Sequence, residues 1–205
     1  MTRERLAARY EEHHATARSP GLVIDRTVRS DFFAARIGRG KTVLDLGCRD
    51  GALAAAYLAG NRVTGVDVDR AALERAAAAG LETVWADLEE PLPFDDGTFD
   101  VVVAGELLPH LRYPADLVAE ARRVLRPGGV FLGSVPNAYR LKARVQFALG
   151  RQLPPDPTQF HLISPGRLRS LLAAHFASVE LEFVASRFLR LSPRLFGNTI
   201  LFAAS

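Results

Sequence analysis

An α/β fold built on a mainly parallel sheet is what this 205-residue sequence predicts. Three observations carry it. Short apolar runs alternate with segments of helical periodicity, the pattern of βαβ units. Acidic residues or glycines close several of those runs, as expected where strands deliver the chain to a ligand crevice. The length suits one domain with a core large enough to need no staples, which places residues 1–205 in a single unit.

The elements follow in order. The first 40 residues read as helical, with a break at Ser19, Pro20 and Gly21. Strands are predicted at 42–46, 62–67, 82–87, 99–104 and 129–135, with two weaker ones at 179–184 and 198–203. Helical stretches lie between them at 52–59, 71–79, 114–125 and 165–175. The alanine-rich run 71–79 is a strong helix former, and Gly80 is placed to stop it. A helical piece at 138–149 and a proline-rich loop at 150–157 make the stretch 136–165 an excursion beside the sheet, of a length that is usually functional or flexible.

Composition narrows the classes. No apolar run approaches the roughly 20 residues of a membrane span, and the N-terminus leads into charged residues instead of an apolar signal region. Cys48 is the only cysteine, so no intrachain disulfide can form and a reducing cytoplasm is the expected setting. The net charge of +3 hides an asymmetry: residues 1–111 hold 13 basic and 18 acidic side chains, residues 112–205 hold 13 and 5. The basic positions are scattered, not clustered with aromatics, which argues against nucleic acid as a partner. Neither nucleic acid nor a membrane is expected.

The chemistry gathers at the carboxyl ends of successive strands. Asp45 lies near the end of the first and is followed by Gly47, Cys48, Arg49, Asp50 and Gly51, which open the next helical stretch. Glycines there admit a ligand close to the backbone, and a helix N-terminus offers free amides. Asp67 ends the second strand 20 residues after Gly47, where a carboxylate can accept hydrogen bonds from both hydroxyls of a ribose. Asp87 ends the third and can accept from an adenine amino group. Val68 and Leu88, next in the chain after these two, belong to the same lining. Ala104 and Gly105 end the fourth strand and leave space for a bound amino group. Each aspartate alone reads equally as a cap or turn former. Four such features in strand order at one sheet edge do not. A nicotinamide fingerprint would need Gly-x-Gly-x-x-Gly, and this loop offers only Gly47 and Gly51.

The runs VLDLGCRDG at 43–51, GVDVD at 65–69, AD at 86–87, PLPF at 91–94, FDVVVA at 99–104 and VLRPGGV at 124–130 resemble the class I S-adenosylmethionine-dependent methyltransferases. The resemblance spans 42–135 and implies a Rossmann-like three-layer sandwich, its seven-stranded, mainly parallel sheet having an antiparallel last strand. It also implies S-adenosylmethionine as cofactor, with Asp45 and the glycine loop near the methionine part, Asp67 on the ribose and Asp87 on the adenine side. Relatives commonly carry glycine where this chain has Arg49; if that position needs a positive φ, the departure costs about 1 kcal/mol. Cys48 reads as a small apolar filler of the loop and not as a nucleophile.

Methyl transfer from a sulfonium is an in-line displacement that relies on positioning, with a base needed only when the acceptor must lose a proton. Glu106 and His110 follow the fourth strand and are candidates for acceptor contact or proton removal; the alternatives are a solvated carboxylate and a capping residue. His161 follows the proline-rich loop where relatives often carry a histidine. Tyr10, His13 and His14 lie in the N-terminal segment, which in relatives often folds over the cofactor, but no converging ligand spacing marks a metal site. In this reading residues 1–40 cover the site and 136–165 shape a pocket for a small-molecule acceptor. SVPN at 134–137, FHL at 160–162 and SPRLFG at 192–197 look more loosely like the MetW-like methionine-biosynthesis proteins. That likeness implies a second role, as partner of a homoserine O-acyltransferase.

Overall fold

The computed structural model describes residues 26–151, 158–184 and 189–205. Tyr10, His13 and His14, the break at 19–21 and most of the proline-rich loop lie outside the described residues. The elements are α1 (Arg26–Ile37), β1 (Thr42–Leu46), a 3-10 turn (Ala54–Ala56), β2 (Arg62–Asp67), α2 (Arg70–Ala78), β3 (Glu82–Trp85) and β4 (Phe99–Gly105). A second 3-10 turn (Leu108–His110), α3 (Pro114–Val124), β5 (Leu125–Pro136), α4 (Leu141–Ala148), α5 (Pro165–Ala173), β6 (Val179–Val184), α6 (Pro193–Phe196) and β7 (Thr199–Ala204) complete the chain.

The seven strands form one sheet in the order β3-β2-β1-β4-β5-β7-β6. β1, β2, β3, β4 and β5 pair in parallel, and β7 runs antiparallel between β5 and β6. This is the expected Rossmann-like arrangement. The central strands are apolar on both faces because helices cover both. Period-two alternation divides them: Leu44, Leu46, Val102 and Ala104 join a buried cluster with α3 and α5, whereas Val43, Val101 and Val103 join a second cluster with Phe33 and Ile37 of α1 and Ala76 of α2. Asp45 shares the parity of Val43 and therefore faces the α1 side.

Two expectations need correction. The helix at 52–59 is only the turn Ala54–Ala56. Asn61 Nδ2 donates to the Tyr57 carbonyl at 2.7 Å, taking the acceptor that a continuing helix would use. β3 stops at Trp85 and not at Asp87, whose side chain accepts from the Glu89 N–H at 3.0 Å and turns the chain.

Where β5 meets β4 and β7 the packing leaves no room. A Cβ at Gly133 would press into the Phe202 ring and lie 2.6 Å from the Ala104 carbonyl oxygen. Gly133→Ala is accordingly expected to lower unfolding free energy by about 1–3 kcal/mol, measured by urea denaturation; a neutral effect would mean that the sheet yields there.

Candidate active site

β1 sits between β2 and β4, so the connections leaving its carboxyl end and that of β4 diverge and open a crevice between them. Asp45 is buried at its floor, where its Oδ2 accepts from Tyr57 Oη at 2.8 Å. Burial pushes the Asp45 carboxyl up to about 7, and the charge of Asp67 adds to the rise; the Tyr57 hydrogen bond and the positive charge of Arg29 oppose it. Burial and the neighbouring Asp45 also raise the Tyr57 phenol well above its ordinary value, so it stays a donor.

The loop after β1 is drawn in tightly. Gly47 and Cys48 both donate to the Val66 carbonyl, at 2.8 and 3.2 Å. Gly47 takes φ +70°, and a Cβ there would lie 3.1 Å from Leu107, so the position suits glycine on both counts. Arg49 adopts φ +50°, a left-handed conformation that costs a non-glycine residue about 1 kcal/mol. Asp67 holds it there. Its Oδ2 accepts from the Arg49 N–H and its Oδ1 from the Asp69 N–H, each at 2.9 Å. Gly51, also at positive φ, lies by Leu81 and Ala76 and ends the loop.

The side chain of Cys48 turns inward, into the cluster with Val63 and Leu81, and its Sγ occupies the space beside Gly65. Burial pushes its thiol far up. It therefore fills the core, and only its backbone belongs to the loop.

On the β3 side, Trp85 Nε1 donates to the Val68 carbonyl at 2.9 Å, and the Arg70 guanidinium stacks 3.9 Å over the indole. Asp87 lies just beyond, tied into the turn with Glu89, and Leu88 packs partly buried against the core. Trp85 and Arg70 carried no motif signal.

Ala104 and Gly105 end β4 as expected. What the sequence reading missed is Arg29. It is buried on α1, in line with Phe33 and Ile37 at intervals of four, and its Nη2 lies 2.6 Å from where a Gly105 Cβ would stand. A Cβ there would also meet the Leu53 methyl at 2.8 Å, so a larger residue would displace both side-chain ends. A charged residue interrupting the apolar stripe of an amphipathic helix was the available signal.

Of the three catalytic candidates, Glu106 directly follows Gly105. It is buried, takes φ +59°, and its N–H donates to the Ser134 carbonyl at 2.9 Å. Such strain in a non-glycine residue is characteristic of functional sites. His110 is buried in the next turn, with Nδ1 2.9 Å from Thr158 Oγ1. His161 is placed differently. Its backbone is laced to the same turn through Pro109, but the ring is exposed and its Nε2 lies 2.9 Å from the Arg112 carbonyl oxygen. It lines a separate cavity of about 240 Å³ with Arg112, Tyr113 and Arg167. Among the described residues no three His, Cys, Asp or Glu side chains converge in a metal-holding group.

Residues 44–133 match the methyltransferase domain family. The chain is 37% identical over 145 residues to a probable S-adenosylmethionine-dependent methyltransferase of Mycolicibacterium smegmatis, covering 69% of this chain and 53% of that protein. It is 35% identical over 144 residues to the ubiquinone biosynthesis O-methyltransferase of Nitrosococcus oceani, covering 64% and 61%. The chain thus spans little more than half the length of these relatives. A SAM-dependent methyltransferase from Archaeoglobus fulgidus has the same fold, with a TM-score of 0.70 at 18% identity over 96% of this chain and 99% of that one.

Proposed function

We propose that this chain, which resembles the class I S-adenosylmethionine-dependent methyltransferases in domain family, relatives and fold, methylates a hydroxyl of a small molecule held at the carboxyl ends of β1 and β4. The observation that carries the reading is the charge pattern of the crevice. A buried guanidinium, Arg29, lies against Gly105, and two buried carboxylates, Asp45 and Asp67, stand on the neighbouring strands. That set complements a cofactor bearing a carboxylate, an ammonium and a ribose diol.

In this reading Arg29 pairs with the carboxylate of S-adenosylmethionine and Asp45 with its ammonium. Asp67 is buried at the end of β2, with its oxygens accepting the Arg49 and Asp69 N–H groups, and its carboxylate is the group we assign to the two ribose hydroxyls. Val68, Asp87 and Leu88 flank the adenine, and Gly47, Gly51 and Ala104 supply close backbone approach. When bound, the cofactor supplies an electrophilic methyl group on a sulfonium.

A hydroxyl acceptor must lose its proton. His110, oriented by Thr158, is the base we assign, and Glu106 positions the acceptor. The Nitrosococcus relative is a ubiquinone biosynthesis O-methyltransferase, which supports an oxygen acceptor. His161 is left outside this set by the engagement of its ring with Arg112. Residues 1–40 are proposed to lie over the site and 136–165 to shape the acceptor pocket. The partner role implied by the looser MetW-like resemblance receives no support: the Mycolicibacterium and Nitrosococcus relatives are named as methyltransferases.

Transfer of labelled methyl groups to phenolic and catecholic acceptors tests the reading. His110→Ala is expected to lower kcat by about 10²–10⁴-fold, to remove the basic group from the pH–rate profile, and to leave cofactor affinity unchanged. Unaltered kcat would remove His110 from the chemistry.

A further inference from the structure

α4 buries little of itself. Ala143, 1% exposed, faces the protein, while Leu141, Val145 and Leu149 are 39%, 48% and 65% exposed. Their spacing of four residues sets these three in one outward stripe along the helix and its C-cap. Lys142 and Arg144, both exposed, flank the stripe on opposite sides, the Arg144 Nε donating to the Tyr139 carbonyl at 2.8 Å. From Ala138 to Arg151 the chain holds Arg140, Lys142, Arg144 and Arg151 and no acidic residue. α4 also packs against α6, before which Arg190 and the 75%-exposed Leu191 continue the same composition. An apolar stripe bordered by long cationic side chains is what a helix lying in a bilayer interface presents: apolar groups enter the acyl boundary and ammonium or guanidinium groups reach the headgroups.

We propose that this face docks peripherally on an anionic lipid bilayer. Among the described residues no helix is long and apolar enough to cross a membrane, so the contact is one of surface insertion. Charge decides the occupant. Twofold pairing of the face with a second copy would set the Lys142 and Arg144 rows against each other, whereas anionic headgroups neutralise both. The inference concerns where the chain docks and stands independently of methyl transfer.

The test is flotation of the full chain with mixed phosphatidylglycerol–phosphatidylcholine vesicles and with pure phosphatidylcholine vesicles at low salt. Partition is expected to be at least about tenfold stronger into the anionic vesicles. Val145→Glu with Leu149→Glu should reduce it by tenfold or more, and Lys142→Glu with Arg144→Glu should remove the preference for anionic lipid; both should keep the circular dichroism spectrum of the parent chain. Equal partition into the two vesicle types would overturn the proposal. So would variants that bind like the parent, or a lipid-free dimer dissolved by the Val145 and Leu149 substitutions.

Discussion

Asp45→Asn is expected to make the protein more stable and its cofactor site weaker. The Asp45 carboxyl stands near 7 in the folded chain against 3.8 for an ordinary aspartate, chiefly because it is buried. A carboxyl raised in this way holds its proton better when folded than when unfolded. Stability therefore falls as pH rises from about 4 to about 7 and levels off above. The span corresponds to up to about 4 kcal/mol, at 1.36 kcal/mol per unit. Asparagine keeps an acceptor for Tyr57 Oη but does not ionise, so above neutrality the variant should melt up to roughly 10 °C higher. Melting temperatures of both proteins across the acid-to-neutral range provide the check. The two curves should converge near pH 4 and part as pH rises; parallel curves would show that Asp45 is not held as described. The same substitution removes the anion proposed to meet the cofactor ammonium, and should weaken cofactor binding by about 1.5–3 kcal/mol. A residue proposed for the site whose loss stabilises the fold is the usual sign of strain kept for function.

Asp67→Ala should act on the loop and on the cofactor together. Each Asp67 oxygen already accepts a backbone N–H, from Arg49 and from Asp69, so the carboxylate shapes the loop as well as facing the proposed ribose. Removing it releases the Arg49 backbone from φ +50° and deletes charge-assisted acceptors for two hydroxyls. A loss of about 3 kcal/mol in cofactor affinity, more than a hundredfold, is expected by calorimetry. Arg49→Gly separates the two roles: it removes the left-handed strain and should leave the affinity within a few fold. Unchanged affinity in Asp67→Ala would take this residue out of the site.

The parts of this architecture that a linear reading reaches are those in which neighbours in sequence carry the signal. Period-two apolar runs gave β1, β2 and β4, and strand-terminal aspartates and glycines marked the crevice because each strand delivers its last residue to the same edge. Arg29 escaped because its role depends on α1 crossing Gly105, a contact between residues 76 positions apart that no spacing records. The helix expected at 52–59 failed on one side chain, Asn61, which bonds the carbonyl a helix needs. Tyr57 escaped for a related reason: the short turn, not a regular helix, carries its hydroxyl to Asp45. His161 was read from its place in the chain, but its ring direction is fixed by the tertiary contact with Arg112.

The central claim, that the crevice formed by Arg29, Asp45 and Asp67 holds S-adenosylmethionine, is tested most directly by calorimetric titration of the full chain with the cofactor near neutral pH, in buffers of different ionisation enthalpy. Saturable one-to-one binding is expected with Kd below about 1 mM, within the usual range of enzyme–substrate affinities. Because Asp45 is partly protonated near pH 7 and ionises on meeting an ammonium, protons should be released and the measured heat should depend on the buffer. Absence of saturable heat at millimolar cofactor would contradict the account.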